Sequence, residues 1–469
     1  MSVASRGKAL VEKNENYRKG EGDINTSSAR LAWQESHIDP TTRAILEADE
    51  KYFLHQSLST PCLNALKSCK GIYIEDMTGK KIMDFHGNNV HQVGFSNSEV
   101  IDAVKKQLDE LSFCTRRYTN SRAIELAEKL SSLAPGDLNK VLLAPGATSS
   151  IGIALKLARI STGRFKTLSA WDAFHGASLD ALSIGGEATF REGLGPLLPG
   201  TEHVLPVNNY RCVWGECKNC GLKCVKYIEF VLSKERDIGA VILETIRNTD
   251  VQIPPKGYYS EIRKLCDKYG ALLILDETAI ALGRTGKMFA FENYSVEPDM
   301  VIIGKGLGGG IIPLSALIVR EKLDVAVHTA IGHYTHEKSP VGSAAALAVI
   351  KYIEDNSLLS HTIKLGIYLK KRLKELAKKH AIIGNIRGIG LLYAIELVKD
   401  PITKEPATDA AEKVMYSCLE KGLSFKVSQG NVLTLSPPLI ISEKELDLAV
   451  TIIDKAISEY CSKTEDIKL

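Results

Sequence analysis

No stretch of about 18 apolar residues occurs in this chain, which excludes a single helix crossing a bilayer. Met1 to Arg30 is polar and lacks the apolar run of an export signal. Charge of one sign is lacking too. Lys and Arg number 59 against 56 Asp and Glu, a formal net charge of +3, so neither nucleic acid nor an anionic membrane is expected as a partner. Internal repeats and low-complexity tracts are absent. The ten cysteines are scattered through a large chain with no export signal, so they read as reduced thiols in a cytoplasmic protein. What remains is ordinary globular material, 44% hydrophobic and 25% charged over 469 residues, enough for two or three domains.

Residues 1–70 read as an arm, loosely ordered over 1–30, leading into a small domain. Residues 71–325 read as a large domain and 326–469 as a smaller α+β domain. Gly71 to Phe85 predicts a β-hairpin turning at Met77-Thr78-Gly79. From about residue 100 to 320, short apolar strands alternate with helical patterns. The strands are Val141–Ala144, Ala240–Glu244, Leu272–Leu275 and Val301–Ile303. Such alternation predicts an α/β fold, a mostly parallel sheet covered by helices on both faces. Leu365, Leu369, Leu373 and Leu376 mark one face of a long helix whose other face is basic. That basic face reads as solvated rather than anion-binding. Short strands are expected around 390–396 and 431–435.

Chemistry concentrates at strand ends. Lys305 follows the apolar run Met300–Ile303 and precedes a glycine cluster, and Asp276 ends the run Leu272–Leu275. Ligands in such sheets sit at the carboxyl ends of strands. A lone lysine and a lone carboxylate there suit a pyridoxal phosphate (PLP) enzyme: the lysine forms a Schiff base and the carboxylate keeps the ring nitrogen protonated. Pro145-Gly146-Ala147-Thr148-Ser149 turns from a strand into a helix, whose first N–H groups and hydroxyls make an anion cradle. Phe174-His175-Gly176 offers a ring to lie over a flat cofactor. Taken singly, the cradle is an ordinary helix start and the aromatic an ordinary core residue.

In order and spacing together, these segments resemble the class III (ω-) aminotransferases, the fold-type-I PLP-dependent transferases. The resemblance runs over about residues 70–455. It is carried by Asp84-Phe85-His86-Gly87, Pro145 to Thr148, Phe174-His175-Gly176, Asp276-Glu277 with Gly283-Arg284-Thr285-Gly286, Gly304-Lys305-Gly306, Arg387-Gly388-Ile389-Gly390 and Ser436-Pro437-Pro438-Leu439. It implies roles. Lys305 is the Schiff-base lysine and proton carrier, and Asp276 pairs with the pyridine nitrogen. Ala147 and Thr148 bind the cofactor phosphate. Phe174 stacks on the ring, with His175 and Glu244 beside the cofactor. Thr335 reaches the phosphate in a partner subunit, which implies a homodimer with shared active sites and leaves open whether dimers pair into tetramers.

Departures from the family narrow the chemistry. Many members grip a carboxylate with an arginine where this chain has Thr434, gated by a glutamate where it has Thr249. A glutamine that contacts the phenolic oxygen is replaced by Ala279. Without that grip the keto-acid half of a transamination is in doubt. A lyase needs one substrate only. It takes the α-proton, expels a β-substituent and releases ammonia and an aldehyde. The expected substrate is a small hydroxylated aminophosphonate, held by Arg116, Arg117, Arg247 or His91. Each of these four also has a structural reading, as an ion pair or a satisfied histidine. The alternatives are an ω-aminotransferase using pyruvate or a similar acceptor, a phospho-lyase on a phosphorylated amine, and a non-catalytic protein that has kept the fold. Cys212, Cys217, Cys220 and Cys224 allow a four-thiolate metal site, but their spacing matches no common zinc module. They read as a compact insertion with buried thiols, and no metal is expected.

Overall fold

A computed structural model describes residues 27–215 and 220–465. The greater part of the expected arm, residues 1–26, and Cys217 lie outside the described residues.

A seven-stranded sheet forms the centre. Its strands are β1 (Leu138–Ala144), β2 (Lys166–Ala170), β3 (Thr201–Val204), β4 (Ile238–Glu244), β5 (Leu272–Asp276), β6 (Met300–Ile303) and β7 (Ser315–Arg320). Their spatial order is β1-β7-β6-β5-β4-β2-β3. β3, β2, β4, β5 and β6 pair in parallel. β7 runs antiparallel to both β6 and β1. The reason is the short link Gly304–Leu314, which cannot make the helical crossover that a parallel return needs. Strands buried on both faces need continuous apolar runs, and every residue of β6 is buried.

Helices cover the sheet, among them Ala147–Thr162, Tyr258–Tyr269 and Pro340–Asp355. The helix Leu358–Lys379 buries Leu365, Leu369, Leu373 and Leu376, the face that the leucine spacing marks. Its Lys370, Lys371, Lys374, Lys378 and Lys379 are exposed, as a solvated basic face should be. No helix among the described residues is long and apolar enough to cross a membrane.

Two small sheets flank the centre. The expected hairpin forms between Tyr73–Asp76 and Lys81–Asp84, and Leu423–Ser424 adds to it in parallel. Strands from both ends of the chain therefore share one sheet. The other small sheet is antiparallel, ordered Ile383–Ile389, Leu392–Leu397, Val432–Leu435, Lys426–Ser428.

One arginine ties this last sheet to the segment after β4. Arg387 Nη1 lies 2.6 Å from Glu396 Oε2, and its Nε and Nη2 donate to the Asp250 carbonyl at 2.9 and 2.7 Å. Arg211 holds the other oxygen of Glu396 at 2.6 Å. Arg387→Ala leaves buried Glu396 with Arg211 alone and frees the Asp250 carbonyl. A loss of about 3 kcal/mol is expected, read as a lower urea midpoint. An unchanged midpoint would remove this contact from the account of how the two sheets are docked.

Candidate active site

Parallel register sets the site. β4 and β5 pair with Glu244 opposite Asp276, and β5 and β6 pair with Asp276 opposite Ile302. Two carboxylates thus end neighbouring strands at one level, with Lys305 just past the end of the next. Above them opens a cavity of about 420 Å³.

The glycines beside Lys305 are there for space. A Cβ on Gly304 would lie 3.3 Å from the Cβ atoms of Ala147 and Ser315 and from Thr278 Cγ2. One on Gly306 would fall 1.9 Å from Gln92 Oε1. Lys305 itself has φ +46°, a left-handed conformation that lysine seldom adopts. It opens a 3₁₀ turn, Lys305–Gly308, and lines the cavity half-buried. Strained backbone of this kind clusters at functional sites.

Asp276 is buried and firmly held. Its Oδ2 lies 2.8 Å from His175 Nδ1, so Nδ1–H donates to the carboxylate. Its Oδ1 accepts from the backbone N–H and hydroxyl of Thr278 at 3.0 and 2.6 Å. Ser169 Oγ stands 3.4 Å from His175 Nε2. This set fixes one carboxylate at the cavity wall. Sequence reasoning missed Thr278, whose only signal is its place two residues after Asp276 on the same loop.

The helix Ala147–Thr162 starts at Gly146 with no side-chain cap. Its first N–H groups, at the cavity wall, are therefore available to an anion. Thr148 Oγ1 meets Ser178 Oγ at 2.6 Å. Gly176, with φ +131°, lets the Phe174-His175-Gly176 loop close on this cradle, because a Cβ there would lie 2.5 Å from Thr148 Oγ1. Phe174 lines the cavity and packs on Phe190 with ring centroids 4.5 Å apart.

Glu244 is pinned by backbone donors. Oε1 accepts from Phe174 N at 3.1 Å and Oε2 from Asn248 N at 3.2 Å. Burial raises its carboxyl pKa. Asn248 also lines the cavity, and its Oδ1 is buried without a hydrogen-bond partner. Sequence reasoning passed over it, although it stands between Glu244 and Thr249. Thr434 and Thr249, two of the three departures from the family pattern, touch. Thr434 Oγ1 donates to the Thr249 carbonyl at 2.8 Å, and Thr249 and Ala279 both line the cavity.

The cavity brings together Ala147, Thr148, Phe174, His175, Glu244, Asp276 and Lys305. Other expected site residues lie elsewhere. Arg247 Nη1 pairs with Asp250 at 2.8 Å and its Nε donates to the Asp172 carbonyl, beside a separate small pocket. His91 is fully buried outside the cavity wall, its Nε2 3.1 Å from the Asp84 carbonyl. Arg116 and Arg117 are exposed. Arg116 Nη2 reaches the Gly332 carbonyl at 3.2 Å and Glu337 at 3.3 Å, on the segment that carries exposed Thr335. Among the described lining residues, Lys305 is the one lysine or arginine. Cys212, Cys220 and Cys224 line one pocket as free thiols. No group of metal-ligating side chains is found among the described residues.

The parts fit PLP: a cradle of helix-start N–H groups for a phosphate, a buried carboxylate for a ring nitrogen, an aromatic face and a lysine.

Residues 55–457 match the family described as Aminotransferase class-III. The chain is 49% identical to the (R)-1-hydroxy-2-aminoethylphosphonate ammonia-lyase of Vibrio splendidus (strain 12B01), over 95% of this chain and 96% of that protein. Among solved structures it resembles a Bacillus anthracis aminotransferase, with a TM-score of 0.82 and 31% identity over 89% of this chain and 98% of that one. It also resembles an amine transaminase from an uncultivated Pseudomonas species in its PLP-bound form, with a TM-score of 0.82 and 29% identity over 87% and 99%.

Burial, and after it the charge of Arg284, lowers the His91 pKa from 6.5 to about 3. Between those values the unfolded chain binds a proton that the native chain refuses. Stability therefore falls as pH drops from 6.5 towards 3, by up to about 1.4 kcal/mol per pH unit. His91→Gln is expected to flatten that part of the profile, measured as urea midpoints at pH 4.5 and 7.5. Parallel profiles for variant and wild type would refute the assignment.

Proposed function

The chain belongs to the class III aminotransferase family and uses pyridoxal 5'-phosphate, and from that premise we propose that it is an ammonia-lyase. Its substrate is (R)-1-hydroxy-2-aminoethylphosphonate and its products are phosphonoacetaldehyde and ammonia. One observation carries the choice of lyase over transferase: Thr434 donates to Thr249 where a carboxylate-gripping arginine and its glutamate are expected in a keto-acid-using relative. The ammonia-lyase relative, matched over nearly the whole of both chains, supports the substrate.

The residues divide the work. Ala147 and Thr148 hold the cofactor phosphate, Phe174 covers the ring, and Asp276, braced by His175, pairs with the ring nitrogen. Lys305 anchors the cofactor and moves the proton from the amine-bearing carbon. PLP, when bound, supplies the electron sink that makes this proton removable. The hydroxyl leaves from the neighbouring carbon. Once released, the enamine product takes up water and yields aldehyde and ammonia. A phosphonate dianion beside Glu244 and Asp276 needs cations, and among the described lining residues the one lysine or arginine is Lys305. We assign them to Arg116 and Arg117 of a partner subunit, delivered on the same surface as Thr335, in a cytoplasmic homodimer. Arg247 and His91 support the cavity wall from behind.

Incubation with the hydroxylated aminophosphonate and no keto acid is expected to release ammonia and phosphonoacetaldehyde in equal amounts. No ammonia, together with turnover that requires pyruvate or another keto acid, would assign an ω-aminotransferase instead. Faster release from a phosphorylated amine would assign a phospho-lyase. Arg116→Ala and Arg117→Ala are each expected to raise KM about tenfold or more, the worth of a charge-assisted contact. Their kcat should fall much less. An unchanged KM in both would remove them from the substrate site.

A further inference from the structure

Expelling hydroxide from carbon is hard at neutral pH, because hydroxide is a strongly basic leaving group. A proton delivered to the departing oxygen lowers that barrier, and a positioned side chain that supplies one contributes typically 10²–10⁴-fold. Among the described residues, the titratable side chains lining the cavity are His175, Glu244, Asp276 and Lys305. Three of them have other tasks. Asp276 must stay ionised for the ring nitrogen, with one oxygen committed to His175 and the other to Thr278. His175 has Nδ1 on Asp276 and Nε2 near Ser169, and its side chain is fully buried. Lys305 takes the proton from the amine-bearing carbon.

Glu244 remains. It ends β4 level with Asp276. Backbone N–H groups from two different loops hold its oxygens, Phe174 on Oε1 and Asn248 on Oε2. A carboxyl group offers about four lone-pair sites. One on each oxygen is taken, so the group is fixed in place and still has a site for a proton.

On the lyase reading, we infer that Glu244 is the general acid that protonates the leaving hydroxyl. The C–H bond breaks and its proton goes to Lys305 Nζ. The C–O bond breaks, its electron pair leaves with oxygen, and that oxygen takes the Glu244 proton and departs as water. The former C–H electrons become the carbon–carbon double bond. Glu244 is left as carboxylate, and the proton gained by Lys305 is passed on as the cycle closes, so both groups are restored. The electrostatics agree. Burial raises the Glu244 pKa, His175 and Arg247 draw it down, Asp276 pushes it up, the Phe174 N–H draws it down, and the net shift is upward.

The test compares wild type with Glu244→Gln, both as holoenzyme, on three compounds. Ammonia release is measured from the hydroxylated aminophosphonate and from an analogue carrying fluoride in place of hydroxyl. Hydrogen–deuterium exchange at the amine-bearing carbon is measured on 2-aminoethylphosphonate, which has no leaving group. The variant is expected to lose at least 100-fold more on the hydroxylated substrate than in exchange, and the fluoro analogue should recover most of that loss. A separate readout does not depend on turnover: the infrared difference spectrum, wild type minus E244Q at neutral pH, should contain a protonated-carboxyl stretch. Equal losses in all three assays would make Glu244 a positioning residue. No loss on the hydroxylated substrate would return the proton to Lys305. Absence of the carboxyl stretch would overturn the assignment directly. No ammonia from the wild type would sink the lyase reading itself, whereas exchange and release that fall together would sink only this role for Glu244.

Discussion

The parallel register of β4, β5 and β6 is the constraint from which the site follows. Each strand is buried and nearly featureless until its carboxyl end. Because the three run the same way and pair without slippage at those ends, Glu244 and Asp276 arrive side by side and Lys305 arrives just beyond them. A slip of one residue would turn Asp276 to the other face of the sheet and take it from the cavity. The loops can then be short, and the side chains they bring are few. Phe174 and His175 come from the loop after β2, and the phosphate cradle comes from the joint after β1.

That arrangement explains what the sequence makes legible. An apolar run ended by one charged residue is a strong signal, so β4, β5, β6, Asp276 and Lys305 could be read directly. The leucine face of the helix Leu358–Lys379 was equally plain. β7 is not legible, because it follows the glycine cluster after Lys305 with no helix between and so breaks the strand–helix alternation that marks the others. β2 and β3 were missed as well. Thr278 and Asn248 carry no periodicity. Their importance lies in loop geometry, in which hydroxyl reaches Asp276 and which amide faces the cavity, and composition does not encode that.

The cations are the instructive case. Arg247 stands three residues after Glu244 and is a candidate substrate contact because an oxyanion-rich substrate needs cations. Folding gives it Asp250 and the Asp172 carbonyl instead. A buried arginine with a committed carboxylate is costly to redirect. The segment it steadies is also the one that Arg387 grips through the Asp250 carbonyl. Arg247 therefore helps to hold the loop bearing Asn248 and Thr249 at the cavity. The exposed Arg116 and Arg117 stay outside their own chain's cavity.

Thr249 and Thr434 set what the cavity can admit. In a transaminase-like site an arginine at one position and a glutamate at the other form a pair that can open, and its opening admits a carboxylate. Two threonines cannot serve in that way. Thr434 is buried and its hydroxyl is already donated to a backbone carbonyl, so it offers a dicarboxylate or keto acid no charge. Nor does it need a gate, since it has no charge to hide. The fold, the lysine and the acidic strand ends stay as in the family, and the place of the charged pair becomes neutral and fixed. Such a site keeps the machinery for removing a proton and gives up a seat for a second substrate. Loss of a group from the adjacent carbon is then the outcome that the remaining chemistry favours.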